Sequence, residues 1–177
     1  MHIRAATPHD IPALARLSAE SFSAKFAHLY PPEIHAAFVA ATYNDDAIAA
    51  LVTDPTIQTW LVDDGTALLA YAMLCPPGLP HPDATAGLEL KRLYTAPGAT
   101  GQGLGTRLMT EIVIPAANAA AGDTWIGVYS DNHAAQRFYA RHGFLKVGEY
   151  EFPVGPLRDR EFILRRKNAS AIEERTG

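Results

Sequence analysis

The chain has 177 residues, 48% of them hydrophobic and 19% charged, which suits one domain with a sizeable core and excludes a disordered chain. A net charge of −4 excludes nucleic acid as the main partner, because phosphate backbones are gripped by basic faces. One cysteine, Cys75, excludes an internal disulfide framework.

Met1 to Pro8 lacks the apolar stretch of a signal peptide, so the expected compartment is the cytoplasm. Ile3 to Ala5 reads as a first strand. Thr7-Pro8-His9-Asp10 then opens a helix, with Thr7 as N-cap, Pro8 at the first helical position, and Leu14, Leu17, Ser21 and Phe22 on one stripe. A second helix follows Pro31-Pro32, and Asn44 or Asp45 caps a third that ends near Val52. After Asp54-Pro55 the period changes, and Ile57–Val62 and Ala67–Cys75 read as a hairpin across Asp63-Asp64-Gly65. That second run is too short to span a bilayer, and Cys75 within it reads as a buried structural thiol.

Pro76 to Pro82 reads as a rigid exposed loop. Gly87 to Thr95 is a strand and Gly103 to about Ala121 a helix, kinked at Pro115. Thr124 to Tyr129 is a strand, Asn132 to His142 a short helix, and Phe144–Phe152 with Leu157–Leu164 a hairpin around Gly155-Pro156. Residues 1–166 thus read as one α/β domain with a single central sheet, and 167–177 as a polar tail expected to fray.

The segment from Pro97 to Gly105 joins a predicted strand to a predicted helix. Its glycines let the backbone approach a ligand, and the first free N–H groups of the helix favour an anion. A Walker loop would need Lys followed by Ser or Thr after Gly103, where Leu104-Gly105 stand. The dinucleotide fingerprint G-x-G-x-x-G fails too, since the spacing is G-x-G-x-G and the loop follows several strands. An acyl-CoA loop remains, alongside an ordinary turn.

Thr100-x-x-Gly103-x-Gly105 resembles the Gln/Arg-x-x-Gly-x-Gly/Ala loop of the GCN5-related N-acetyltransferase (GNAT) superfamily. Thr100 departs from its first position and removes one side-chain donor. Asn132-His133-Ala134-Ala135-Gln136-Arg137-Phe138-Tyr139, continuing to Gly143-Phe144, resembles the family's Asn-x-x-Ala-x-x-Phe-Tyr-x-x-x-Gly-Phe. One helix and one strand separate the two motifs, as in the family. Ser18 to Phe22, Leu88 to Tyr94, Trp125 to Tyr129 and Gly143 to Gly148 are most similar to bacterial spermidine/spermine-type acetyltransferases.

The resemblance implies a central mixed, mostly antiparallel sheet of about six to seven strands flanked by helices. It implies acetyl transfer from acetyl-CoA to a primary amine, a polyamine or another small amine, by direct attack in a ternary complex. Thr100, Gly101, Gln102, Gly103, Leu104, Gly105 and Thr106 would hold the pyrophosphate, and the backbone of Leu93, Tyr94 and Thr95 the pantetheine arm. Asn132 would touch the cofactor, Tyr139 would serve as general acid, and Glu89 as base. A non-catalytic CoA sensor and a peptide-amine acetyltransferase are the alternatives.

The residues leave other readings open. Phe138 and Tyr139 also read as core aromatics, Asn132 as a helix cap, and Glu89 as a surface partner of Lys91. Glu20 reads either as attracting a cationic amine or as an exposed helix position. The seven histidines lack metal-ligand spacing, and Ser130-Asp131 with His133 lacks a nucleophile elbow, so no metal and no hydrolase triad are expected. The expected partner is a small-molecule amine, with no nucleic acid and no membrane; a homodimer is left open.

Overall fold

A computed structural model describes residues 1–168; residues 169–177, most of the segment read as a tail, lie outside the described residues. In chain order the elements are β1 (His2–Ala5), α1 (Ile11–Phe26), α2 (Pro32–Thr42), α3 (Asp45–Val52), β2 (Gln58–Asp63), β3 (Leu68–Cys75), β4 (Leu88–Thr95), α4 (Leu104–Leu108), α5 (Ile114–Ala119), β5 (Thr124–Tyr129), α6 (His133–Arg141), β6 (Leu145–Val154) and β7 (Leu157–Arg166). The strands form one seven-stranded sheet in the order β1-β2-β3-β4-β5-β7-β6. β1 runs antiparallel to β2, and β7 antiparallel to both β5 and β6. β4 and β5 are parallel and register only at Leu88↔Thr124 and Glu89↔Trp125. A parallel pair needs a crossover, here supplied by the helical stretch from Leu104 to Ala119. The expected mixed sheet flanked by helices is what forms.

The chain divides into two compact units. The first contains Met1–Met73 and Arg92–Leu108. Its core is Leu14, Leu17, Ile48, Leu61, Val62, Tyr71, Leu104 and Leu108. On α1 the buried positions Leu14, Leu17, Ser18, Ser21 and Phe22 follow the spacing of one helical face, as the sequence predicts. The Asn44 side chain ends one helix and starts the next: its Nδ2 donates to the Ala40 carbonyl at 2.8 Å, and its Oδ1 accepts the Ala47 N–H at 2.8 Å. Before α1, Thr7 opens a 3₁₀ turn over Pro8–Asp10, and Asp10 reaches back to the Thr7 N–H at 2.8 Å.

Asp10 also receives Arg4 at 2.7 and 2.9 Å, and the Arg4 guanidinium holds its carboxyl well below the usual carboxylate range. A lowered folded-state pKa stabilises the fold above the unfolded value, near 4, and that contribution disappears as pH falls through the folded value. Asp10→Asn is therefore expected to lower Tm at pH 7, with the gap to the parent narrowing as pH falls from about 4 toward 2. Thermal unfolding from pH 2 to pH 7 checks it; parallel profiles would rule out this linkage.

The second unit contains Leu74–Lys91 and the chain from Met109 onward. Trp125, Phe144, Met109, Leu90 and Ile163 form its core. The predicted kink at Pro115 takes a specific form. Met109–Val113 is π-helical, and α5 begins only at Ile114. Proline supplies no N–H and its ring crowds the carbonyl four residues back, at Glu111, so the wider turn relieves both conflicts. Gly155 at φ +57 and Pro156 make the two-residue turn between β6 and β7. Asn168, placed in the tail by sequence, is 3% exposed. Its side chain donates to the Ala117 and Ala120 carbonyls at 3.1 and 2.5 Å, and Asp123 Oδ1 accepts its N–H. It thereby closes the end of α5.

Candidate active site

In the first unit, β4 leads into a short turn at Pro97–Ala99 and then the glycine loop. Gly101 and Gly103 have φ of +84° and +76°, a region that side-chain-bearing residues avoid. A Cβ on either would meet nothing within 4 Å, so their role is conformational and their surroundings are open. α4 starts at Leu104, and the Gly103 carbonyl accepts the Arg107 N–H at 3.0 Å. The N–H groups of the first turn therefore precede any intrahelical acceptor, as an anion-binding loop requires. Thr100 turns its hydroxyl back to the Ala96 carbonyl at 3.4 Å. At the end of β4, the Thr95 carbonyl accepts Ser21 Oγ at 3.1 Å, which ties the strand to α1.

In the second unit, Glu89 is 8% exposed and its Oε2 accepts the Gly78 N–H at 2.7 Å. Lys91 is exposed and makes no ion pair with Glu89, which removes the surface-pair reading. The proline-rich loop is folded onto this side of the sheet. His81 lies 5.1 Å from the Trp125 ring, and Asp83 pairs with Arg165 at 3.0 Å.

Sequence reasoning missed the groups beside Glu89. Tyr150 and Glu161 are register partners on β6 and β7, and the phenol donates to Glu161 Oε2 at 2.5 Å. Gly127 makes this arrangement possible, since a Cβ there would lie 2.5 Å from the Tyr150 oxygen and 2.8 Å from Glu161 Oε2. Burial pushes the Glu161 carboxyl up more than the Tyr150 hydrogen bond lowers it, and the nearby charges of Asp159 and Glu89 add to the rise. The signal that locates the pair is the hairpin register: with a two-residue turn at Gly155-Pro156, positions 150 and 161 face each other.

Tyr139, also in the second unit, is 6% exposed on α6, and its ring meets those of Phe138 and Phe144 edge-on at 5.2 and 5.7 Å. Burial pushes its phenol pKa up, so it keeps its proton throughout the physiological range. Asn132 caps α6, with Oδ1 accepting the Ala135 N–H at 3.2 Å. Tyr139 is buried like a core aromatic and Asn132 caps like a structural residue; both geometries are compatible with a second task. Glu20 is exposed, at the rim of a cavity of about 430 Å³ that Arg16, Asp64 and Gln102 also line. Cys75 is buried. Among the described residues, no cluster of His, Cys, Asp and Glu could hold a metal ion, and no helix is long and apolar enough to cross a membrane.

The model of the acetyltransferase (GNAT) family matches residues 12–144. An uncharacterized N-acetyltransferase of Mycobacterium tuberculosis is 30% identical over 158 residues, which is 89% of this chain and 97% of that protein. The PaiA N-acetyltransferase of Thermoplasma acidophilum, solved in complex with coenzyme A, is 19% identical with a TM-score of 0.74, over 94% of this chain and 98% of that one. The ribosomal-protein-S18-alanine N-acetyltransferase of Escherichia coli is 17% identical with a TM-score of 0.68, over 94% and 92%. The chain belongs to the acetyltransferase (GNAT) family. Its activity is that of an acyl-CoA-dependent N-acetyltransferase, with acetyl-CoA as the donor.

Proposed function

We propose that this enzyme acetylates the primary amine of a polyamine or another small amine by direct attack in a ternary complex, with Glu89 as base and Tyr139 as proton or hydrogen-bond donor. The observation that carries this reading is the acidic setting of Glu89, a buried carboxylate fixed by the Gly78 N–H, with Glu161 close by. An alkylammonium has a pKa near 10, so only about one molecule in a thousand is nucleophilic at pH 7. A carboxylate that attracts the cation and accepts its proton, directly or through water, addresses both difficulties. Tyr139, with its pKa raised by burial, holds its proton and offers a hydrogen bond to the departing thiolate.

Acetyl-CoA supplies the activated acetyl group. The N–H groups of the loop from Thr100 to Thr106 would hold its pyrophosphate, the backbone of Leu93, Tyr94 and Thr95 its pantetheine arm, and Asn132 would add a contact. The open, positive-φ glycines of the loop support this, as does the coenzyme A held by the PaiA relative. Gly103→Ala forces a side chain into left-handed backbone at a cost of about 1–2 kcal/mol, or re-aims the loop. Calorimetric affinity for coenzyme A is expected to fall about 5- to 30-fold, and unaltered affinity would count against the loop.

Incubation with acetyl-CoA and a panel of di- and polyamines, followed by free-thiol release, tests the function itself. Tight coenzyme A binding without turnover across the panel would sink it in favour of a sensor.

A further inference from the structure

Acetyl transfer as described gives Glu89 a task and leaves Glu161 without one. Glu161 on β7 is partly exposed, and its Oε2 accepts the Tyr150 hydroxyl at 2.5 Å. Among the described residues, no lysine, arginine or histidine forms an ion pair with Glu161 or with Glu89. The sheet gives the two carboxylates a common face. Trp125 registers with Glu89 and Tyr129 with Glu161, so Gly127 lies between them on β5. A Cβ at Gly127 would come 2.5 Å from the Tyr150 oxygen and 2.8 Å from Glu161 Oε2, so hydroxyl and carboxylate both reach over this glycine. Leu79 Cδ2 is 3.4 Å from the same point, and the neighbouring Gly78 N–H is the group that Glu89 accepts. All of these residues belong to the second unit.

A carboxylate drawn out of water without a counter-cation is costly, and a like charge nearby adds to the cost. The Tyr150 hydroxyl relieves Glu161 in part and the Gly78 N–H relieves Glu89 in part, but both donors are neutral. Two cationic nitrogens on one ligand would relieve both carboxylates. Gly127 is one strand over and two residues along from Glu89, about 8 Å by the usual sheet spacings, and a short α,ω-diamine bridges a gap of that order. We infer that Glu161, held by Tyr150, receives a second cationic nitrogen of the acceptor while Glu89 serves the reacting one, so that Glu161 selects diamines over monoamines. The methylenes between the two nitrogens would lie against Leu79. Tyr150 is a positioning residue: its hydroxyl keeps the Glu161 carboxylate over Gly127. This rests on the small-amine reading with Glu89 as base, and adds to it the residue that sets specificity.

The test compares acceptors that share a chain and differ in the second amine: 1,4-diaminobutane with n-butylamine, and 1,5-diaminopentane with n-pentylamine. Thiol release gives kcat and KM for each. The diamine is expected to be preferred in kcat/KM by about tenfold or more, chiefly through KM, well above the factor of about two that a second equivalent amine gives by number alone. In Glu161→Gln that preference is expected to fall to within about threefold, with partial recovery in Glu161→Asp, which restores the charge on a shorter stem. Gly127→Ala leaves both side chains in place but pushes their ends apart, so it serves if Glu161→Gln does not fold; there the preference is expected to fall about threefold or more. Tyr150→Phe should lower it in the same direction, because the carboxylate loses its tether. A parent enzyme with equal kcat/KM for both members of each pair, or variants that lower both members by one factor, would overturn the inference and leave the small-amine reading standing. So would turnover of other small amines but of none of these four. If no amine at all is acetylated while coenzyme A still binds, the small-amine reading fails and this inference fails with it.

Discussion

Glu89→Gln is expected to lower kcat/KM for a primary amine by about 10²- to 10⁴-fold at pH 7, the range that general-base catalysis contributes. The variant keeps the shape of the side chain, and its amide oxygen can still accept the Gly78 N–H, so Tm should hold. What it loses is the carboxylate that takes the proton. Turnover then depends on amine already deprotonated in solution, a fraction that rises about tenfold per pH unit below pH 10. The defect should therefore shrink between pH 7 and pH 9, and a pH series of thiol release with parent and variant measures it. A variant profile that stays parallel to the parent, with only KM raised, would make Glu89 an anchor for the ammonium instead of its base.

Tyr139→Phe is expected to reduce kcat by about 10- to 100-fold, the value of a hydrogen bond to a charged group, while affinity for acetyl-CoA stays within about twofold. The ring still packs between Phe138 and Phe144, so the change deletes one oxygen and little else. Single-turnover kinetics with a calorimetric binding measurement separate the two quantities. Equal loss in both would reduce Tyr139 to a packing residue. Because burial pushes the phenol up, its titration should leave no inflection in the parent profile below about pH 10.

The glycine loop and the cap of α6 were legible because their signals are local. The loop needs glycine where φ is positive, and Gly101 and Gly103 occupy those positions; the cap of α6 needs a short polar side chain, and Asn132 supplies it. β5 falls at Thr124–Tyr129, as its apolar run predicts. The surroundings of Glu89 were harder to read because its neighbours meet through register and packing. Tyr150 and Glu161 are ordinary strand residues until the hairpin aligns them, on the turn side of a bulge between Lys146 and Gly148. The proline-rich loop looked merely exposed because nothing local shows that Trp125 and Glu89 would receive it.

The strand order also decides when each unit can be completed on the ribosome. The first unit has all its residues once Leu108 has been made. β5 is different: all six of its residues register with β7, but only two with β4. At about 5–20 residues per second, the interval from Tyr129 to Arg166 lasts about two to seven seconds. Throughout it, the apolar edge of Trp125, Ile126 and Val128 has no antiparallel partner from its own chain. A nascent chain stalled before Leu157 would carry every residue of the first unit and an unpaired edge on β5, the kind of edge that other chains can pair with.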